Sequence, residues 1–215
     1  MKSNILTLLF TVITGIGRIQ SQECPPIGDG GDTTLNKLKN RKEIPGSFIE
    51  KPVQAFLTTM PIVNAHHKFM DKFSKVDRAK IDSVDRLGLA LEGFIVAAKQ
   101  SEPEACNCHM ATKRDFHVWI APEQPPEGDK DSAKAIRARS VIVEPTPYWQ
   151  GLHKDTWRIR ILSRLAKDRT KVRISGWAMY DPEHPGELGK TRGTLWEIHP
   201  VTKIEVWNGG VWREL

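Results

Sequence analysis

From residue 89 onward the apolar residues fall into short runs of strand length, separated by polar stretches and by prolines and glycines. Residues 91–99 (LEGFIVAAK) form the first run, in which Gly93 suits a bulge or bend. Residues 115–121 (DFHVWIA) alternate, with Phe116, Val118 and Ile120 on one face and Asp115, His117 and Trp119 on the other. Residues 140–144 (SVIVE) are a third strand, stopped by Pro145 and Pro147. The period then changes: over residues 153–167 Trp157, Ile161, Leu162 and Leu165 share one helical face, basic residues occupy much of the rest, and Asp155 is a natural N-cap. Residues 171–180 and 194–206 return to strand, the last with a potential break at Pro200.

Upstream the pattern is weaker. Residues 23–62 are rich in Pro, Gly and Asn and hold one short helix at 33–40, for which Asp32 or Thr33 is the cap. The glycine-rich run at 28–32 lacks the ligand alternation of a calcium loop and reads as a turn. Residues 63–90 permit a helix, and the adjacent His66 and His67 point in different directions as ordinary surface or half-buried residues. The expected organisation is a targeting segment at 1–22, an irregular extension with short helices at 23–88, and a mainly β domain at 89–215. Three strands, a helix and two strands is the element order of the OB-fold, a five-stranded barrel with its helix between the third and fourth strands. Gly93 and Gly176, both inside strands, fit the bends of barrel closure. An open sheet packed on one helix is the alternative.

Composition adds a compartment. Lys2 followed by an apolar stretch at 5–17 is the pattern of a secretory signal, too short to span a membrane. The reading is therefore a secreted or periplasmic protein without membrane insertion. Without Lys2 and Arg18 the 32 basic residues become 30 against 26 acidic ones, a net charge of +4. The excess lies mainly in residues 33–86, with 11 basic and 6 acidic, so charge alone does not argue for a polyanion-binding body. Of Cys24, Cys106 and Cys108, the last two are too close in sequence for an easy mutual bridge. A disulfide from Cys24 to one of them would pin the N-terminal arm and leave an odd thiol. Free thiols, or a small metal site with His109, are the other readings.

The densest candidate chemistry lies in residues 172–207. Glu197 and His199 share a strand face, as do Asp115 and His117, and the loop between the last two strands supplies Asp181 and His184. Carboxylate and imidazole together are the donors that bind zinc or manganese and perform general acid–base chemistry. These six residues are the candidate metal ligands if the strands bring them together. The structural reading of each is a strand-ending turn, a local cap or a surface ion pair. All seven tryptophans lie between residues 119 and 212. Trp119, on the Asp115–His117 face, and Trp177 are the candidate ligand-facing rings, joined by Tyr180, Asp181, His184 and Arg192 as a ligand-binding set. No P-loop, nucleophile elbow, dinucleotide fingerprint or His-Glu-x-x-His pattern is present.

The strings CPPIGDGGD, EACNCH, DFHVW, GWAMYDPEHP and RGTLWEIHPV resemble those of an uncharacterised group of secreted bacterial proteins with an OB-like domain. That resemblance spans most of the chain past residue 22 and implies export and a shared fold, with no activity attached. The functions expected from the residues are, in order, a secreted binding module for a glycan, single-stranded nucleic acid or small ligand; a metal-dependent hydrolase acting on phosphodiesters; and a structural envelope protein.

Overall fold

The computed structural model describes residues 23–64 and 67–215; the expected targeting segment at 1–22 and His66 lie outside the described residues. Among the described residues seven strands form one sheet: β1 (Ile49–Pro52), β2 (Gly88–Gln100), β3 (Phe116–Ala121), β4 (Val141–Val143), β5 (Lys171–Tyr180), β6 (Trp196–Asn208) and β7 (Val211–Glu214). The sheet closes on itself. β2 pairs with β3, β3 with β4, β4 with β6, β6 with β5, and β5 back with β2. All these pairs are antiparallel except β4 with β6, which run parallel. A five-stranded ring of this order is the OB-fold barrel, and closure excludes the open-sheet alternative. β1 adds in parallel to β2, and β7 forms a hairpin with β6.

Alternation explains the core. Val118, Ile120, Val141, Val143, Ile174, Ile198 and Ile204 are buried together in one cluster. A side chain at Gly93 would meet the Ala121 carbonyl 2.6 Å from its Cβ, so close strand approach requires glycine there. β6 is not broken at Pro200. Opposite Gly176 and Ala178 its register shifts, so His199 and Pro200 together face the single residue Trp177. The proline sits in this bulge, where no ladder donor is needed.

The helices are α1 (Thr33–Lys39), α2 (Val53–Thr59), α3 (Lys75–Val84), α4 (Lys130–Arg137), α5 (Pro147–Leu152) and α6 (Ile159–Lys167). Asp32 caps α1 as expected, accepting from the Thr34 and Leu35 amides. Of the helix expected at 153–167 only the part from Ile159 to Lys167 forms, as α6; residues 153–158 are a turn that joins it to α5, which ends at Leu152. Arg158 rather than Asp155 occupies the cap of α6, and its side chain makes no cap bond. Trp157 is buried in that turn, stacked on His153 at 4.1 Å, while Leu162 carries α6 into the core. Among the described residues no helix is long and apolar enough to cross a membrane.

The cysteine alternatives resolve into a Cys24–Cys108 disulfide, with Cys106 buried and free. The bridge ties residue 24 to the loop between β2 and β3. That loop makes one wall of the site described next.

Candidate metal centre

Because Val118, Val143 and Ile198 face the core, alternation turns His117, Glu144, Glu197 and His199 to the outer face of β3, β4 and β6. An outer face would ordinarily be wet, but here it is roofed. The loop 101–115, α1 and the loop 181–195 close over it, leaving Asp115, Glu144, Glu197 and His199 buried. β3 and β6 are not neighbours, since β4 lies between them. β4 has only three residues, so Glu144 follows directly, its amide donating to the Ile198 carbonyl and its carbonyl accepting from the Val201 amide. Groups from β3 and β6 thus meet at the end of the short middle strand.

His199 is the hub. Its Nδ1 lies 3.2 Å from Glu197 Oε1 and 3.3 Å from Glu144 Oε2. Its Nε2 stands 3.7 Å from Asp115 Oδ2 and has no hydrogen-bond partner among the described residues. Asn107 Nδ2 donates to Asp115 Oδ1 at 3.2 Å, and the Cys106 sulfur lies 3.8 Å from Asp115 Oδ2. His117 Nε2 sits between Glu144 Oε1 at 3.3 Å and Glu104 Oε1 at 3.4 Å. Alongside runs a second, paired set. Arg192 Nη1 lies 2.7 Å from Asp181 Oδ2 and 3.5 Å from Glu197 Oε2, and its Nε donates to Glu187 at 3.1 Å. His184 Nδ1 is 2.8 Å from Asp181 Oδ2, and Lys39 Nζ reaches Glu183 at 2.9 Å and Glu104 at 3.5 Å.

The electrostatics divide the same way. Burial works against the Asp181 charge, yet the His184 hydrogen bond and the Arg192 charge hold its carboxyl well below the usual range. Glu104 is likewise held down against burial, by His117 and Lys39. Among the described residues Asp115 and Glu144 have no Lys or Arg in contact, and Glu197 has only Arg192, at 3.5 Å. Burial pushes Asp115 up to about 6, and burial with the Asp181 charge pushes Glu197 up to about 8. Burial, then the charges of Glu197, Glu104 and Asp115, raise Glu144 well above its ordinary value. Burial drives His199 down to about 4, so at neutral pH it is a neutral imidazole with a lone pair to offer. Buried carboxyl groups beside an unprotonated imidazole are a set of hard donors of the kind that can hold a divalent cation.

Above the hub a cleft of about 510 Å³ opens between the loops, with Lys39, Lys99, Glu104, His117, Trp119 and Arg137 on its walls. All six sequence-derived ligand candidates reach this region: Asp115, His117, Glu197 and His199 at the hub, Asp181 and His184 in the adjoining pairs. The ligand-binding set separates. Trp119 lines the cleft, whereas Trp177 lies under the Arg41 guanidinium at 4.8 Å and donates to the Glu43 carbonyl. Tyr180 is buried against Phe73 and Trp196. Arg192 is buried as the counter-ion of Asp181. Sequence reasoning left Glu144 as a strand end and gave Glu104 no role. Glu144 did carry a signal, since an acid closing an otherwise apolar strand is unusual for a buried position. Glu104 and Lys39 carried none.

No family model and no curated protein matches this chain. Among solved structures, the crystal structure of yeast Stn1 and Ten1 aligns over 81% of this chain and 71% of that chain, at 10% identity and a TM-score of 0.38. At that score the likeness bears on neither function nor partners.

Proposed function

We propose that the protein is an exported metal-dependent hydrolase whose divalent ion, zinc or manganese, is held by Asp115, Glu144 and His199. The observation that carries this is the unpartnered Nε2 of the fully buried His199, beside two buried carboxylates. One ligand atom from each of the three residues lies within 4.8 Å of the others. A buried imidazole nitrogen without a partner is costly, and a cation in the group removes that cost and the repulsion among the acids. Glu197 orients His199 from behind through Nδ1, the role an outer carboxylate plays for a metal-bound imidazole. His117, in hydrogen-bond reach of Glu104 and Glu144 and on the cleft wall, is placed to move a proton between cleft and hub. A divalent ion here would supply Lewis acidity and lower the pKa of a bound water.

The position supports a working site. In an OB barrel the second and third strands, with the loops joining strands one to two and four to five, form the usual ligand face. Here these are β3, β4 and the loops 101–115 and 181–195. Export is supported by the Cys24–Cys108 bridge, since disulfides persist in oxidising compartments. A stacking platform for glycans or single-stranded nucleic acid is less well supported, because Trp177 and Tyr180 lie away from the cleft.

The test is elemental analysis of the protein purified without a His-tag, beside His199→Gln, whose fold is checked by circular dichroism. About one zinc or manganese per chain is expected in the wild type and none in the variant. Metal at about 100 times Kd should stabilise the wild type by about 2.7 kcal/mol, which raises Tm by roughly 5–10 °C. Failure to bind either metal after soaking ends this reading and leaves a binding or structural module.

A further inference from the structure

Resting on that reading and deepening it, we propose that Arg137 and Lys99 form an anion subsite that holds a phosphoryl group of the substrate in the cleft above the metal centre. Arg137 ends α4, and its guanidinium lies 4.0 Å from the centre of the Trp119 ring. Lys99 Nζ stands over the same ring at 5.7 Å. Lys99 is the cross-strand partner of His117, so its side chain rises on the face that carries the site. Among the described residues neither Arg137 nor Lys99 makes an ion pair, although both line a cleft that also contains acids. Of those acids Glu104 and Glu183 are engaged with Lys39 and Glu187 with Arg192, and Glu102 is exposed at the rim.

Two unpaired cations sharing one indole repel each other, and an anion between them relieves the repulsion. The neutral groups point the same way. Arg137 Nε, Trp119 Nε1 and Thr191 Oγ1 are buried without hydrogen-bond partners, and their three residues line this one cleft. The two N–H groups are pure donors and the hydroxyl can donate, so the complementary ligand is rich in acceptors. A phosphoryl group presents enough oxygens to take the planar guanidinium fork together with the Trp119 and Thr191 donors. A carboxylate has only two. Stacking on Trp119 fixes the plane of that fork before a ligand arrives.

The experiment uses inorganic phosphate as the probe and the whole chain as the protein. Binding is measured by calorimetry with and without manganese, and by broadening of the phosphate phosphorus resonance in the manganese-loaded protein. Arg137→Gln and Lys99→Gln are compared with the wild type, with manganese content and circular dichroism recorded on the same samples. The expected result is phosphate affinity reduced about tenfold or more in each variant, with metal content unchanged. Hydrolysis of bis(p-nitrophenyl) phosphate against p-nitrophenyl phosphate then distinguishes a diester from a monoester source, and KM should rise in the variants for whichever is cleaved. Phosphate binding that is absent from the wild type, or equal in all three proteins, overturns the subsite. Phosphate that binds through Arg137 in a chain taking up no metal keeps the subsite and overturns the metal reading alone.

Discussion

Asp85, at the C-terminal cap of α3, offers a test of how this protein handles a buried charge. Its Oδ1 accepts from the Tyr180 amide at 3.1 Å, while its Oδ2 is buried with no partner among the described residues. Arg41 is close, yet it donates to the backbone carbonyl of Asp85 rather than to the carboxylate. Burial therefore dominates, against the Tyr180 hydrogen bond and the Arg41 and Arg78 charges, with Asp82 adding to it, and the carboxyl is pushed from 3.8 up to about 7. Below about pH 4 the group is protonated in both the folded and the unfolded chain and contributes no pH dependence. Between about pH 4 and 7 the unfolded chain has released the proton that the folded chain still holds, so stability falls as pH rises. Above about pH 7 the loss is complete. At about 1.36 kcal/mol per pH unit it approaches a ceiling of roughly 4 kcal/mol, and water penetration and the nearby arginines reduce this to about 2–4. Asp85→Asn keeps the acceptor for Tyr180 and removes the charge. Urea unfolding of both proteins at about pH 4.5, 6 and 8 isolates the group, because the raised acids around His199 contribute equally to both and cancel. The variant should gain stability over the wild type with rising pH and level off above about pH 7. A flat difference, or a wild type that is the more stable at about pH 8, would show that ionised Asp85 is paired with Arg41 and that the burial argument is wrong.

Two further outcomes follow from the same structure. The Cys24–Cys108 bridge spans a sequence separation of 84 residues, and replacing both cysteines with serine should cost about 4–5 kcal/mol, seen as a lower urea midpoint that reductant no longer shifts. Arg192→Met should cost about 3–5 kcal/mol by leaving Asp181 and Glu197 buried without their cation, and a loss below about 1 kcal/mol in thermal unfolding would show that those acids find water instead.

The two clusters of charge in this barrel face are solved differently. Asp181 and Glu104 are neutralised by protein cations, Arg192 and Lys39, whereas Asp115 and Glu144 meet only imidazoles, an amide and the Cys106 thiol. That contrast is the ground on which a cation is proposed for the second cluster and not for the first, and it exists only at the level of distances.

Much of the fold was legible because it is written in local periodicity. The alternation in 115–121 and 171–180 and the cap at Asp32 depend on neighbours two to four positions apart, and these became β3, β5 and α1. The short exposed β1 and the helices α2 and α4 left little trace, since their faces are only partly buried and their pattern is weak. The helix pattern at 153–167 was real but misplaced Trp157, which packs from a turn. The sequence by itself determined which side chains share a face, and so it paired Glu197 with His199 and Asp115 with His117. Only the tertiary structure decided that these pairs converge. The reason is that β4 separates their strands and ends one residue before Glu144, so that Glu144 enters between them. The tertiary structure likewise decided that loops and α1 roof a face which alternation alone would leave in water, because burial there depends on segments distant in sequence and closed by the Cys24–Cys108 bridge.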